Sequence, residues 1–341
     1  MTKTSTKTNS NRRVSHGRHG RIDRGLFAGV CLGLVALPAG WGGARADVGD
    51  LYVTEEGPGN VWQFDGLSGT PQGFFNAAPM SGNLMAIHTG GTVGDVLVGS
   101  SFGGVYRLDR NTGNVVQTFN ASGGWQWAGV WRPNTNTVLI GDMNTDDIRE
   151  YDANTGAFLG VFATGVSNPA DMIFGPDGDL YVCSFTPGAG VYQVNGLTGA
   201  VVTQWGTGGG GIGGGFTNDI VFMDDGRRIV TAMGDNMAHV FDSSWNLITS
   251  FAGTGWQRIH GITVSPHDGL IYAVDGLTTN VHSFDPITYA EVDVSFASTH
   301  TKPVDLEFRP AIPAPGTLGL LAAAGLVAGR RRRSRGMGAM T

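Results

Sequence analysis

The sequence predicts an all-β protein made by radial repetition of one four-stranded unit. Three observations predict it. Gly makes up 56 of 341 residues with no every-third-residue period, so the chain is rich in tight turns and is not collagen-like. Short runs of Val, Ile, Tyr and Phe alternate with Asp-Gly and Thr-Gly turns, and nothing between 47 and 310 has helical periodicity. One pattern also recurs six times at a nearly fixed period, which marks stacked or radial supersecondary units.

Residues 1–46 come first and read as an export signal. A basic segment precedes the apolar run 26–37, and Ala44-Arg45-Ala46 offers small residues where a signal peptidase reads them. The run is shorter than the ~20 residues of a bilayer span, though a stable anchor is the alternative. Arg12-Arg13 sits too far from the run to signal twin-arginine export, and Cys31 lies inside the run, unlike a lipoprotein cysteine.

The repeats fill 47–310. The Asp column is Asp65, Asp109, Asp152, Asn195, Asp242 and Asp285, at steps of 44, 43, 43, 47 and 43 residues. An aromatic follows about ten residues later at Phe75, Phe119, Phe162, Trp205, Phe251 and Phe296. An apolar or small residue stands four before each member of the Asp column: Val61, Val105, Ile148, Val191, Ala238 and Val281. The fourth unit shows its strands best, at 171–174, 180–182, 191–194 and 201–205, joined by turns at Gly175-Pro176-Asp177-Gly178 and Asn195-Gly196-Leu197-Thr198-Gly199. Four antiparallel strands per ~43 residues is a β-propeller blade. The first unit, from Leu51, lacks its first strand, and a spare strand, Pro303-Val304-Asp305-Leu306-Glu307-Phe308, follows the last. Pairing the two gives a closed, six-bladed β-propeller of four-stranded antiparallel blades without an open ring edge. An open solenoid, the alternative, needs no displaced strand.

The Pro-x-Asp-apolar start (Pro303-Val304-Asp305-Leu306) and the Asp177-Gly178 turn before Leu180-Tyr181-Val182 resemble NHL-repeat propellers and the wider streptogramin-lyase and gluconolactonase-like group. The WD signature of WD40 repeats is absent from the third-strand position. The resemblance implies the scaffold. Catalysis in that group uses His, Glu, Asn and Asp with a divalent cation, and its motifs match no residues here one by one.

Residues 311–341 close the chain. Pro313-Ala314-Pro315-Gly316-Thr317 is followed by an apolar stretch to 329 and by Arg330, Arg331, Arg332, Arg333 and Arg335. A Pro-rich break, a short apolar helix over 317–329 and a basic cluster over 330–335 make a stop-transfer element, expected as a transmembrane helix. The segment resembles the PEP-CTERM sorting signal of bacterial exosortase substrates, with Ala314 where the family motif has Glu. The resemblance implies transient membrane anchoring and an exosortase-type sorting protease as partner. It also implies export through the inner membrane to the cell envelope, cell surface or extracellular matrix. A plain C-terminal membrane helix is the alternative.

Charge narrows the partners. Between the basic ends, nine Lys and Arg face 27 Asp and Glu, a net charge of −18. Such a body repels phosphate backbones, so nucleic acid is excluded as a ligand. Cys183 is the one cysteine of the body, so no intramolecular disulfide forms there, and beside Tyr181-Val182 it reads as an inert buried thiol.

Chemistry is expected on the face where the loops between blades meet the second-to-third-strand loops. First-strand starts place Ala86, Ala128, Asp171, Asp219, Gly261 and Asp305 around one channel mouth, with Asn218 and His260 one position earlier. Asp171, Asp219 and Asp305 are the candidate metal ligands, for calcium or magnesium, because three close carboxylates favour a cation or raised pKa values. The alternative has each Asp accepting backbone N–H groups locally. Glu55, Glu56, Asp142, Asn144, Asp146, Asp235 and Asp275 share that face. Asp142-Met143-Asn144-Thr145-Asp146 has calcium-loop spacing, but Asp147 and Ala153 stand where an EF-hand needs Gly and Glu. Gly123-Gly124-Trp125-Gln126-Trp127 and Gly255-Trp256-Gln257 are matching inter-blade loops. Trp125, Trp127, Trp256, Gln126, Gln257 and His260 are therefore the candidate ligand-binding residues, with Trp wedged between blades as the alternative. The Gly-rich loop 206–215 precedes no helix and is not a phosphate site. The body histidines lack metal-ligand spacing, and no Ser-centred elbow or paired-carboxylate signature is present. The expected function is an exported, envelope-associated, non-catalytic binding or structural module for a polysaccharide or protein, with no required cofactor. The alternative is a divalent-cation-dependent lyase, lactonase or hydrolase at the channel mouth.

Overall fold

The computed structural model describes residues 49–91, 94–119, 125–206, 212, 215–299 and 301–309. These form an all-β propeller of six four-stranded antiparallel blades. Blade 1 contains β1 (Leu51–Glu55), β2 (Val61–Phe64) and β3 (Pro71–Phe74), and blade 2 contains β4 (Leu84–Gly90), β5 (Asp95–Ser100), β6 (Gly104–Leu108) and β7 (Val115–Phe119). Blade 3 is β8 (Gly129–Trp131), β9 (Thr137–Asp142), β10 (Asp147–Asp152) and β11 (Phe158–Thr164). Blade 4 is β12 (Pro169–Phe174), β13 (Leu180–Ser184), β14 (Val191–Val194) and β15 (Val201–Trp205). Blade 5 is β16 (Thr217–Phe222), β17 (Arg228–Ala232), β18 (Met237–Phe241) and β19 (Leu247–Phe251). Blade 6 is β20 (Ile259–Val264), β21 (Ile271–Asp275), β22 (Asn280–Phe284) and β23 (Glu291–Ser298).

The last strand, β24 (Pro303–Phe308), pairs antiparallel with β1 in the register Leu51↔Phe308, Tyr52↔Glu307 and Val53↔Leu306, and completes blade 1. Val304, Leu306 and Phe308 are buried, and Phe308 meets Tyr272 of blade 6 edge-to-face at 5.2 Å. This closing strand is thus held by two blades at once. Burial of a side chain such as Leu306 contributes about 1.5–3 kcal/mol to that closure.

The core is a set of wedges between blades rather than one central mass. Tyr52, Val61, Leu84, Ile87 and Val98 fill the seam of blades 1 and 2. Tyr181, Cys183, Ile220, Val230 and Trp245 fill that of blades 4 and 5. Cys183 is fully buried there. The repeat columns serve these seams. Each of Asp65, Asp109, Asp152, Asn195 and Asp285 accepts N–H groups two and three residues on through one side-chain oxygen, tying the turn before the outer strand. In the turns of Asp65, Asp109, Asp152 and Asn195 the fifth residue is a glycine set against the preceding blade, and in that of Asp285 it is Tyr289. Gly199, at φ 73°, lies so close to Phe162 O that a Cβ would stand 1.7 Å from it, and Gly113 meets Phe75 O in the same way.

The expectation of a transmembrane helix is corrected. Among the described residues there is no helix, and hence none long and apolar enough to cross a membrane. The proposed export signal (1–46) lies outside the described residues, and so do the apolar segment 317–329 and the Arg cluster 330–335.

Candidate functional site: the channel mouth

The six inner strands β24, β4, β8, β12, β16 and β20 contact one another in that order and close back on β24, enclosing the axis. In five of the blades the register between inner and second strand slips at one place: Leu84/Ile87, Pro169/Asp171, Thr217/Ile220, Ile259/Ile262 and, in blade 1, opposite Val53/Glu55. A bulge turns two consecutive residues to the same side. Met85 with Ala86, Ala170 with Asp171, Asn218 with Asp219, His260 with Gly261 and Val304 with Asp305 therefore all line one funnel, joined by Trp127. The volume open to the centre of a water molecule is only about 20 Å³. That is room for a single water-sized group and not for a sugar ring.

The funnel brings together seven of the eight residues expected at the mouth, Ala86, Asp171, Asn218, Asp219, His260, Gly261 and Asp305, while Ala128 does not line it. The carboxylates behave differently from one another. Asp305 Oδ1 accepts Leu306 N at 2.8 Å, and its Oδ2 accepts Ile87 N of the next blade at 2.7 Å. Asp219 Oδ1 accepts Ile220 N at 2.5 Å, and its Oδ2 accepts Ile262 N of the next blade at 2.6 Å. A second-strand threonine completes each latch. Thr54 Oγ1 accepts Asp305 N and donates to Met85 O, and Thr231 Oγ1 accepts Asp219 N and donates to His260 O. The same position in blade 4 is Cys183, whose thiol is too weak a donor to replace a hydroxyl.

Asp171 makes no such latch. Its Oδ1 meets Nε2 of His88 at 2.6 Å, and β4 and β12 are two blades apart, so the pair spans the channel. Burial works against the charge on His88, but the Asp171 carboxylate outweighs it and holds the imidazole up at about 9. Burial likewise opposes ionisation of Asp171, and His88 brings it below the usual carboxylate range. Asp219 and Asp305 are pushed well up, by burial first and by the Asp171 charge second. Burial raises Glu307, two residues beyond Asp305, to about 7. His260 is driven down to about 3 by burial and by Arg258, and stays neutral. At neutral pH the mouth therefore holds one buried ion pair, His88 with Asp171, beside two carboxyls whose ionisation burial and the Asp171 charge oppose.

A divalent cation does not fit this arrangement. All four oxygens of Asp219 and Asp305 already accept backbone amides, and among the described residues no group of three His, Cys, Asp or Glu is placed to hold a metal ion. The neighbouring loop carboxylates are also committed. Glu55 accepts Trp62 Nε1 and Thr301 Oγ1, Glu56 pairs with Arg258, Asp146 accepts Asn168 N, and Asp275 accepts Gln257 N and Arg258 N. Asp142 lies against Arg149, and Asp235 against His239.

The predicted aromatic loops part company. Trp125 is 44% exposed and stacks on Trp127 with centroids 5.8 Å apart and planes at 11°. Trp127 is buried and meets Phe185 edge-on at 4.7 Å, and Phe185 meets Phe216 at 5.0 Å. Phe102, 67% exposed, meets Trp125 edge-on at 6.2 Å. Phe102, Trp125, Trp127, Phe185 and Phe216 thus form an aromatic arc across blades 2 to 5. Gln126 is fully buried beside Asp142. Trp256 lies inside the seam of blades 5 and 6 against Phe251, His282 and Phe284, while Gln257 is exposed. Sequence reasoning passed over His88, Glu307, Phe102, Phe185 and Phe216. The signal for the first two was alternation, since each stands two residues beyond a mouth position on its inner strand. The phenylalanines carried none, because they meet only across blades.

No protein-family model matches the chain, and neither does any curated protein. Solved structures do. A chain from the crystal structure of a nidogen/laminin complex superposes with a TM-score of 0.61 at 15% identity, covering 76% of this chain and 98% of that one. A protein of unknown function from Bacteroides caccae does so with a TM-score of 0.59 at 14% identity, again over 76% and 98%. At such identities the likeness is one of fold: the chain is a six-bladed β-propeller.

Proposed function

We propose that the protein is an exported, non-catalytic binding module of the cell envelope. The face around the channel mouth engages a polysaccharide or protein ligand. The observation that carries this reading is the aromatic arc, which leaves Trp125 and Phe102 exposed beside a narrow funnel. Exposed rings of this kind supply large contact area at low entropic cost. The funnel is too small to admit a lactone or glycan ring, and the carboxylates of Asp219 and Asp305 serve as latches between blades. Both facts favour binding over hydrolysis. The NHL-type kinship, delivery through the inner membrane and an exosortase-type sorting protease as partner belong to the same proposal. They rest on the repeat motifs, the N-terminal apolar run and the Pro-rich, Arg-ended C-terminus.

The test is a glycan array and an envelope-protein pull-down with the full-length protein and with Trp125→Ala plus Phe102→Ala. Ligand binding that disappears in the double variant supports the reading. Binding unchanged in the double variant refutes it, as does turnover of a lactone or glycan by the wild type.

A further inference from the structure

Three residues that line the mouth each carry a buried side-chain atom without a protein hydrogen-bond partner: Trp127 Nε1, Asp171 Oδ2 and His260 Nε2. Their residues are only 8%, 3% and 5% exposed. A buried polar atom left without a partner costs about 1–3 kcal/mol, so three on the residues of one cavity favour a polar guest there. Asp171 makes no latch because the amide that corresponds to Ile87 N and Ile262 N in the next blade is Ile220 N, which Asp219 Oδ1 already takes.

The three atoms differ in what they accept. The indole N–H only donates, the Asp171 oxygen only accepts, and neutral His260 does either. An ammonium group would collide with the indole N–H. A carboxylate or phosphate would face Asp171 and a body of net charge −18. A hydroxyl both donates and accepts, and about 20 Å³ is the space of one such group. Met85, Ala86 and Val304 add apolar wall to the same cavity, and Trp125 stacks on its lining residue Trp127.

We infer that the mouth receives the hydroxymethyl arm at the end of an uncharged polysaccharide chain, its hydroxyl set among Trp127, Asp171 and His260 and its sugar ring laid against Trp125. This rests on the proposed binding function and narrows it to end-on recognition of a neutral glycan. Charge-free ligands suit the acidic body, and an exocyclic arm is the part of a sugar slim enough for the funnel.

The experiment titrates the full-length protein with neutral tetrasaccharides ending in glucose, galactose or mannose, each paired with a counterpart whose terminal sugar is the 6-deoxy form. Calorimetry and tryptophan fluorescence read the binding. At least one parent sugar is expected to bind tenfold or more tightly than its 6-deoxy partner, because a site built to bond a hydroxyl rejects the analogue that lacks it. Trp127→Phe keeps the ring, removes the N–H and is expected to erase most of that difference, with its far-ultraviolet spectrum checking the fold. Equal affinity within every pair overturns the inference, and so does a difference that persists in Trp127→Phe. If Trp125→Ala still abolishes that equal binding, or a protein is the ligand that needs Trp125, the inference falls while the binding function stands. Absence of any Trp125-dependent ligand overturns both.

Discussion

Replacing His88 by Gln removes one half of an ion pair that spans the channel. His88 Nε2 and Asp171 Oδ1 lie 2.6 Å apart, with side chains 12% and 4% exposed. The imidazole titrates near 9 in the folded chain against an ordinary 6.5, a shift worth about 3 kcal/mol of stability. A raised histidine contributes fully below pH 6.5 and loses its contribution as the pH rises through 9. Glu307, raised to about 7, pulls the same way, since a carboxyl that keeps its proton only when folded destabilises the fold as the pH passes from 4.5 to 7. The upward shifts of Asp219 and Asp305 have the same sign. His260, lowered to about 3, acts in the opposite sense but only below 6.5. Urea denaturation followed by tryptophan fluorescence at pH 6.5 and 9 is the assay. The wild type is expected to lose about 3 kcal/mol or more between the two. His88→Gln is expected to start about 3 kcal/mol lower at pH 6.5 and to change much less by pH 9. Parallel losses in both proteins would refute the cross-channel pair as the source of the pH dependence.

Three further outcomes follow from the same geometry. Leu306→Ala empties a buried place in the strand that seals the ring and is expected to cost about 2–5 kcal/mol in chemical denaturation; a cost no larger than that of a surface substitution would show that β24 does not hold the ring. Trp256→Ala, inside the seam of blades 5 and 6, is expected to lose about 3–5 kcal/mol, whereas Trp125→Ala stays within about 0.5 kcal/mol, and calorimetric melting separates them. The Cys183 thiol is fully buried, with its pKa driven well up by burial and by Asp171 and Asp219, so a thiol-specific reagent is expected to label it only after unfolding. Rapid labelling of Cys183 itself in the native protein at neutral pH would contradict that placement.

Much of the site's address was legible because a repeat fixes equivalent positions. Once Asp171, Asp219 and Asp305 stood in one column, a closed ring had to bring them to one mouth, and it does. Their chemistry was not legible, because it depends on the neighbouring blade. Ile87 N and Ile262 N complete two of the carboxylates from across a seam, and no spacing within one blade reports that. Trp125 and Trp256 sit in matching loops with matching neighbours, yet one stacks in the open and the other fills a wedge. A side chain's exposure is set by what packs over it, and in a propeller that is always another repeat.

The sequence by itself determined the all-β class, the number of blades, the displaced strand Pro303–Phe308 and the inner-strand positions that meet at one mouth. Strand alternation, turn residues and a period of about 43 residues are local quantities that survive without knowledge of the fold. The tertiary structure alone decided that His88 reaches Asp171 across the axis, that two of three carboxylates are latches, and that the space open at the mouth is only about 20 Å³. Those facts depend on distances between residues far apart in the chain, and only ring closure sets such distances.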